Sequence, residues 1–373
     1  MIIVGARPQF IKSAPVIREC LRTKQVDLQL INSGQHYDYE LSQIFFNQLG
    51  LPKPVLNLQV GSGSHSSQTG RAMIRIERCI LELRPEIVLV PGDTNTTLAA
   101  GLASAKLNLP VGHIEAGARS YDMSMPEEVN RIVTDHVSTM LFAPTKITER
   151  NLRSEGIARN RIFRVGDTML DGLKTAIPLA KKQKPSLLGR MNLTAGEYVL
   201  MTAHRPANVD VQERLENIVN AILRISKSLN AVFPMHPRVA YRLKSYGLHR
   251  KLKLSRNVIL TKPLDYIKMI ALLDSAYALL TDSGGLQKEA FLLGTPCVTM
   301  RGTTEWPETL KSGANTLVGV DSDRIVRSIL RSEKRHESIW DSKKTGNPFG
   351  SGRASEYIVR TVLSKTAQLS NET

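Results

Sequence analysis

The chain has 373 residues, 42% of them hydrophobic, the ordinary share of a globular protein, and at roughly 150 residues per domain this length points to two domains. Lys and Arg outnumber Asp and Glu 50 to 34, a net charge of +16 that attracts anionic small molecules. The charges are dispersed and aromatics are only 5%, so the basic stripe with interleaved rings of a nucleic-acid binder is missing. No apolar run reaches the ~18 residues of a membrane span. Three scattered cysteines, Cys20, Cys79 and Cys297, fit neither a disulfide framework nor a zinc site. Met1 leads straight into Ile2-Ile3-Val4, so no leader is expected, and the reducing cytoplasm is the expected compartment.

Short apolar runs alternate with helical patterns from the start. Ile2-Ile3-Val4 reads as a strand, and Pro8 suits the first turn of a helix running to about Leu21. Further strands are expected at Leu28 to Ile31, Val55 to Val60, Ile87 to Val90, Val111 to Ile114 and Leu141 to Ala143. Helices are expected over Gln68 to Leu83, Leu98 to Leu107 and Pro126 to about Met140. Gly61 to Ser67 reads as a loop. Lys181 to Pro185 reads as a linker, after which a second series begins. Its strands are Tyr198 to Met201, Ala231 to Phe233, Val258 to Leu260, Ala276 to Leu280 and Pro296 to Thr299, with a last helix from Ala354 to Leu363. Alternation of this kind makes a parallel, doubly wound α/β sheet. The expected architecture is two Rossmann-like domains with a cleft between them.

Thr281-Asp282-Ser283-Gly284-Gly285-Leu286-Gln287-Lys288-Glu289-Ala290 is the most informative stretch. It reads as a strand end, a glycine turn and a helix N-terminus, whose free N–H groups and dipole bind phosphate. The plain alternative is a βα turn with Ser283 as an N-cap. Glu289, one turn on, is placed to accept hydrogen bonds from a ribose.

Open parallel sheets bind ligands beyond the carboxyl ends of their strands. The residues there are Arg7, Gln35 with His36, Asp93, Glu115, His204 with Arg205, His236, Ser283 and Arg301. Asp93, Glu115 and Glu127 form a carboxylate set in the first half, beside the cations Arg7 and Lys12. His204, Arg205, His236, Ser283, Gly284, Gly285 and Glu289 form a phosphate and nucleotide set in the second. Clustered carboxylates raise one another's pKa, which suits proton transfer. Two structural readings stand beside this one. Ser124-Met125-Pro126-Glu127 has the form of a capping box, which would make Glu127 a capping residue. His113 lies within a strand and reads as structural. No metal motif is apparent.

The sequence resembles the non-hydrolysing UDP-N-acetylglucosamine 2-epimerases, over nearly its whole length and in order. The matching stretches are Gly-Ala-Arg-Pro-Gln-Phe-Ile-Lys (5–12), Gly-Gln-His-Tyr (34–37), Pro-Gly-Asp-Thr-Asn (91–95), His-Ile-Glu-Ala-Gly-Ala-Arg (113–119) and Met-Pro-Glu-Glu-Val-Asn-Arg (125–131). Thr-Ala-His-Arg (202–205), Pro-Met-His-Pro (234–237), Thr-Asp-Ser-Gly-Gly-Leu-Gln-Lys-Glu-Ala (281–290) and Asn-Pro-Phe-Gly-Ser-Gly (347–352) complete the set.

The resemblance implies a GT-B-like fold: residues 1–172 as the carboxylate domain, 173–350 as the UDP-binding domain, and 351–373 as a helix returning to the first. It implies a homodimer that interconverts UDP-GlcNAc and UDP-ManNAc with no cofactor, by loss and re-addition of UDP through a 2-acetamidoglucal. Asp93, Glu115 and Glu127 then match acid–base carboxylates. Arg7, Lys12 and His204 match diphosphate contacts, Ser283, Gly284 and Gly285 the phosphate turn, and Glu289 the ribose contact.

The sequence also departs from the family pattern. Ala207 stands where the family's His-Arg-x-Glu-Asn has Glu. Trp306 stands where its Thr-Glu-Arg-Pro-Glu has Arg, which removes a cation. Tyr37, Asp38 and Ser67 do not match the allosteric UDP-GlcNAc site of some bacterial members. Gly-Ala-Arg-Pro-Gln-Phe, Gln-Lys-Glu-Ala and Thr-Glu-Trp also resemble the subgroup acting on UDP-2,3-diacetamido-2,3-dideoxyglucuronate. A glycosyltransferase on the same fold has little use for three carboxylates in its first domain. A non-catalytic nucleotide-sugar binder would be expected to lose them.

Overall fold

The computed structural model describes residues 1–35, 49–332 and 347–372. His36, Tyr37 and Asp38 fall outside them, so the second half of the Gly-Gln-His-Tyr stretch has no structural account. The chain divides into two compact units: Met1–Lys174 with Asn347–Thr373, and Thr175–Gly346. Among the described residues, no helix is long and apolar enough to cross a membrane.

The first unit holds a parallel sheet of β1 (Ile2–Val4), β2 (Leu30–Asn32), β3 (Leu56–Asn57), β4 (Val88–Pro91), β5 (Val111–Ile114), β6 (Met140–Ala143) and β7 (Ile162–Arg164). Their order is β3-β2-β1-β4-β5-β6-β7. β1, β4, β5 and β6 are buried along their whole lengths, because helices cover both faces of such a sheet. That is why they read as apolar runs. The outer strand β7 has one exposed and two half-buried residues. An edge strand needs no continuous apolar run, and β7 was not expected from the sequence. The helices following β1 and β4 span Arg7–Arg22 and Asn95–Lys106. Thr94 caps the second, accepting from Thr97 N.

Helix Ala354–Glu372 belongs to this unit and packs on Arg7–Arg22. Asp171 fixes its start: one carboxylate oxygen accepts from Ala354 N at 3.2 Å, the other from Ser355 N at 2.8 Å and Ser355 Oγ at 2.7 Å. Burial pushes the Asp171 carboxyl above its ordinary value despite these donors.

The second unit holds a parallel sheet of β8 (Tyr198–Thr202), β9 (Asn230–Pro234), β10 (Val258–Thr261), β11 (Ala278–Thr281), β12 (Cys297–Thr299) and β13 (Asn315–Leu317), in the order β10-β9-β8-β11-β12-β13. β13 is again an unexpected edge strand, with one buried residue. The core between sheet and helices is largely aliphatic, with Val199, Met201, Ile218, Ile222, Leu243 and Ile325 among its members beside Phe233. All three cysteines are buried thiols, and burial pushes Cys20 and Cys79 up to about 11 and Cys297 to about 12.

Two expectations fail. Lys181 to Pro185 is no linker: it lies inside the continuous helix Thr168–Arg190, which also contains Pro178 and Pro185. An interior proline typically costs about 3 kcal/mol. The Ala, Lys and Gln around these two are strong helix formers, and Lys184 adds an ion pair to Asp274 at 2.9 Å. The loop read over Gly61 to Ser67 ends early, because Ser64 caps a helix that begins at His65.

Candidate active site

Strand order reverses at one point in each sheet, between β1 and β4 and between β8 and β11. The helices on either side of such a point diverge and leave a crevice at the strands' carboxyl ends. Most residues singled out in the sequence lie on the loops after these four strands or in the helices that follow them, while Glu115 follows β5, His236 follows β9 and Glu127 stands in the helix Pro126–Val137.

In the first unit, Gln9 pins the loops together. Its Oε1 accepts from Gly5 N at 2.8 Å and Ala6 N at 3.1 Å, while its Nε2 donates to Pro91 O and Thr97 Oγ1. Arg7 opens the helix after β1 and is half-buried. Lys12 lies one turn further along and is buried. Its Nζ stands 2.6 Å from Glu115 Oε1, so the structure gives this cation a carboxylate partner inside the unit. Gly92 carries φ +69, and a Cβ there would come within 3.0 Å of Lys12 Nζ. The backbone conformation therefore selects glycine at that turn. Glu115 itself sits at φ +73, a left-handed conformation costing about 1–3 kcal/mol for a residue with a side chain. The Lys12 pair holds its carboxylate in place.

Asp93 follows Gly92. Its Oδ2 meets Arg131 Nη2 at 2.5 Å, and its backbone carbonyl accepts from Asn130 Nδ2 at 2.9 Å. Arg131 also pairs with Glu128 at 2.7 Å. Glu128 is fully buried and accepts from Ser120 N, Ser120 Oγ and Tyr121 N. This arrangement overturns the capping box. Helix Pro126–Val137 has Met125 as N-cap with no side-chain cap, and Ser124 Oγ donates to Asp122 instead. The proline occupies the first helical position and moves the frame by one residue, so Glu128 takes the fastening role. Glu127 is half-buried and makes no hydrogen bond or ion pair to any described residue.

Beneath both loops lies a buried network. His113 Nδ1 is 2.6 Å from Asp135 Oδ1 and His113 Nε2 is 2.8 Å from Gly92 O. Asp135 Oδ2 accepts from Gly117 N at 3.1 Å and meets Arg119 at 2.7 Å, and Arg119 also pairs with Glu155. Burial would raise the Asp135 carboxyl, but His113 and Arg119 outweigh it and hold the group below its ordinary value.

In the second unit, Asp282 joins the loops after β8 and β11. It is fully buried and accepts from His204 N, Arg205 N at 3.0 Å and Asn208 Nδ2 at 3.1 Å, and it lies 3.0 Å from His204 Nδ1. Burial alone would raise its carboxyl. The His204 ring and the two backbone N–H groups override that and hold it well below the carboxylate range. Arg205 Nε donates to Asp282 O at 2.9 Å. His236 caps helix Pro237–Ser245, accepting from Arg238 N at Nδ1, with its ring 6.1 Å from that of His204.

Ser283 caps helix Gly284–Leu293, accepting from Leu286 N. Gly284 and Gly285 are its first residues, and neither has a positive φ. A Cβ on Gly284 would lie 3.1 Å from Glu305 Oε2 and 3.6 Å from Trp306 Nε1, so space rather than backbone conformation selects glycine there. Glu289 is buried in the same helix. Trp306 packs under a buried cation, Lys288, whose Nζ stands 3.8 Å from its ring centroid. Arg301, another strand-end residue, is bound to Glu305 at 2.7 and 2.9 Å.

The residues that sequence reasoning passed over are Gln9, Glu128, Arg131, Asp135 and Asp282. Asp282 was visible inside the Thr-Asp-Ser-Gly-Gly stretch. Glu128 and Arg131 have helical i, i+3 spacing. Asp135 gave no signal, because its partners lie 16 to 22 residues away on another strand and loop. Among the described residues no cluster of three or more His, Cys, Asp or Glu is placed to hold a metal ion.

The family model for UDP-N-acetylglucosamine 2-epimerase matches residues 18–363. A Methanococcus maripaludis UDP-N-acetylglucosamine 2-epimerase homolog is 45% identical over 96% of this chain and 98% of its own. A Pseudomonas aeruginosa UDP-2,3-diacetamido-2,3-dideoxy-D-glucuronate 2-epimerase is 43% identical over 96% and 97%. The crystal structure of Methanocaldococcus jannaschii UDP-GlcNAc 2-epimerase in complex with UDP-GlcNAc and UDP superposes with a TM-score of 0.89. It is 42% identical, covering 97% of this chain and 99% of that one. The chain belongs to the UDP-N-acetylglucosamine 2-epimerase family and is an isomerase.

Proposed function

We propose that the protein interconverts UDP-GlcNAc and UDP-ManNAc by eliminating UDP and adding it back. In the forward half, a carboxylate takes the C2 proton. The C2–H electron pair becomes the C1=C2 bond of a 2-acetamidoglucal, and the C1–O bond breaks with its electrons leaving on UDP. In the return half, a proton reaches C2 from the opposite face while a UDP oxygen re-forms the bond to C1. Expelling UDP as the proton leaves avoids a free carbanion at a carbon that is not acidic.

The observation that carries this reading is the state of the three carboxylates. Asp93 and Glu115 each have a cation against them, Arg131 and Lys12. Glu127 has neither ion pair nor hydrogen bond to a described residue. The reading therefore lets Glu127 exchange a proton with C2 on one face of the sugar, and gives the opposite face to Asp93 or Glu115, each held in place by its cation. Arg7, His204, Arg205, His236 and the N-terminus at Ser283, Gly284 and Gly285 stabilise the departing diphosphate. Glu289 holds the ribose. The working form in this reading is a cytoplasmic homodimer that needs no cofactor. The 42% identity to an enzyme crystallised with UDP-GlcNAc and UDP supports the substrate class.

A second reading takes UDP-2,3-diacetamido-2,3-dideoxyglucuronate as substrate. It is favoured by the 43% identity to the Pseudomonas aeruginosa enzyme. Incubation with each sugar nucleotide, followed by proton NMR of the C2 configuration, separates the two. Inversion of UDP-GlcNAc supports the first reading, and inversion of the diacetamidoglucuronate alone supports the second.

A further inference from the structure

Asp93 and Glu115 stand on two different loops, after β4 and β5, and the reaction needs them in fixed relation. One buried side chain touches the supports of both. We propose that His113 is a positioning residue, which holds the Gly92–Asp93 turn in register with the Glu115–Gly117 turn through Gly92 O on one side and Asp135 on the other. This inference rests on the role proposed for Asp93 and Glu115.

The geometry is as follows. His113 is on β5, fully buried, with Glu115 two residues on. Its Nε2 faces the carbonyl of Gly92 at 2.8 Å. A carbonyl only accepts, so Nε2 carries the proton of that bond. The Gly92 carbonyl belongs to the peptide that ends at Asp93 N, so this bond sets the plane from which Asp93 departs. On the other ring edge, Nδ1 meets Asp135 at 2.6 Å, and the second oxygen of Asp135 accepts from Gly117 N. The chain of contacts thus runs from the Asp93 turn through His113 and Asp135 to the Glu115 turn. Arg119 and Glu155 close it on the far side. Gly92 and Gly117 take positive φ, +69 and +80, as glycine readily does, while Glu115 holds a strained φ of +73. A strained conformation like that of Glu115 persists only when its surroundings over-determine it. Gly92 N also donates to Ile114 O and Asn130 Nδ2 to Asp93 O, each at 2.9 Å, and losing the imidazole bond leaves the Gly92 carbonyl between them without its ring donor.

The test compares His113→Asn with His113→Gln. Asn places an amide where Nδ1 was and loses the bond to Gly92. Gln places its amide nitrogen where Nε2 was and keeps that donor. A misplacement near 1 Å can cost about a hundredfold in rate. His113→Asn is expected to lose about that much in kcat with KM and UDP affinity unchanged, and His113→Gln to recover at least tenfold of it. Hydrogen exchange gives a readout that needs no turnover. Peptides covering 92–97 and 115–119 should exchange faster in the Asn variant and at the parent rate in the Gln variant. Equal kcat in both variants and parent, or unchanged exchange in those two peptides, overturns the proposal. Should His113→Asn not fold, His113→Leu, of similar size and also without the donor to Gly92, takes its place beside His113→Gln with the same outcomes. Absence of epimerisation in the parent would count against the proposed reaction and leave the exchange result standing.

Discussion

Lys12 and Glu115, 103 residues apart in sequence, form a buried ion pair of 2.6 Å at the centre of the first unit's loops. Removing one partner of such a pair leaves an uncompensated charge out of water, which typically costs about 3–5 kcal/mol. Lys12→Met should therefore lower stability by roughly 3 kcal/mol. The double variant Lys12→Met with Glu115→Gln should regain much of that stability while staying inactive. Chemical denaturation of the four proteins of the cycle checks it. Strictly additive losses would show that the pair carries no coupling.

Glu127 separates catalysis from capping. Helix Pro126–Val137 is started by Met125 and fastened by Glu128, so Glu127→Gln should leave the melting temperature within about 2 °C of the parent. Turnover should fall by about 10²–10⁴, the usual contribution of a positioned acid or base, with UDP binding intact. Calorimetry with UDP and a turnover assay measure the two sides. Near-normal turnover with a lowered melting temperature would return the residue to a structural role. Asp93→Asn and Glu115→Gln should lose turnover in the same range.

Asp282 predicts a pH dependence. Its carboxyl is held well below its ordinary value of 3.8, so the folded state binds this proton more weakly than the unfolded chain does. The stabilisation is complete above about pH 4 and is lost as pH falls below it. Asp282→Asn should be less stable than the parent at pH 7 by roughly 2–3 kcal/mol, the scale of hydrogen bonds to a charged group. The gap should narrow as pH falls from 4 toward 2. Urea unfolding of both proteins across pH 7 to 2 measures it, and a gap that stays constant through that range would contradict the assignment.

What the sequence made legible follows from burial. β1, β4, β5, β8 and β11 are covered on both faces and appear as apolar runs, so their ends, and with them Arg7, Asp93, Glu115, His204 and Ser283, could be located. β7 and β13 are edge strands with half-wet residues and left no such run. The linker reading failed because Pro185 looks like a break, yet the Lys and Gln before it and the two leucines after it favour helix. Pairings were out of reach. Nothing local says that Lys12 meets Glu115, that Arg131 meets Asp93, or that Glu115 adopts φ +73, because each depends on a partner brought in by the fold.

The central claim is that the protein inverts C2 of a UDP-2-acetamido sugar through loss and return of the C2 proton. The most direct measurement is proton NMR of UDP-GlcNAc incubated with the protein in D₂O. UDP-ManNAc should appear with deuterium at C2, and the recovered UDP-GlcNAc should become labelled at the same carbon over many turnovers. UDP-GlcNAc that keeps both its configuration and its C2 proton, under conditions where UDP binds, would contradict the account.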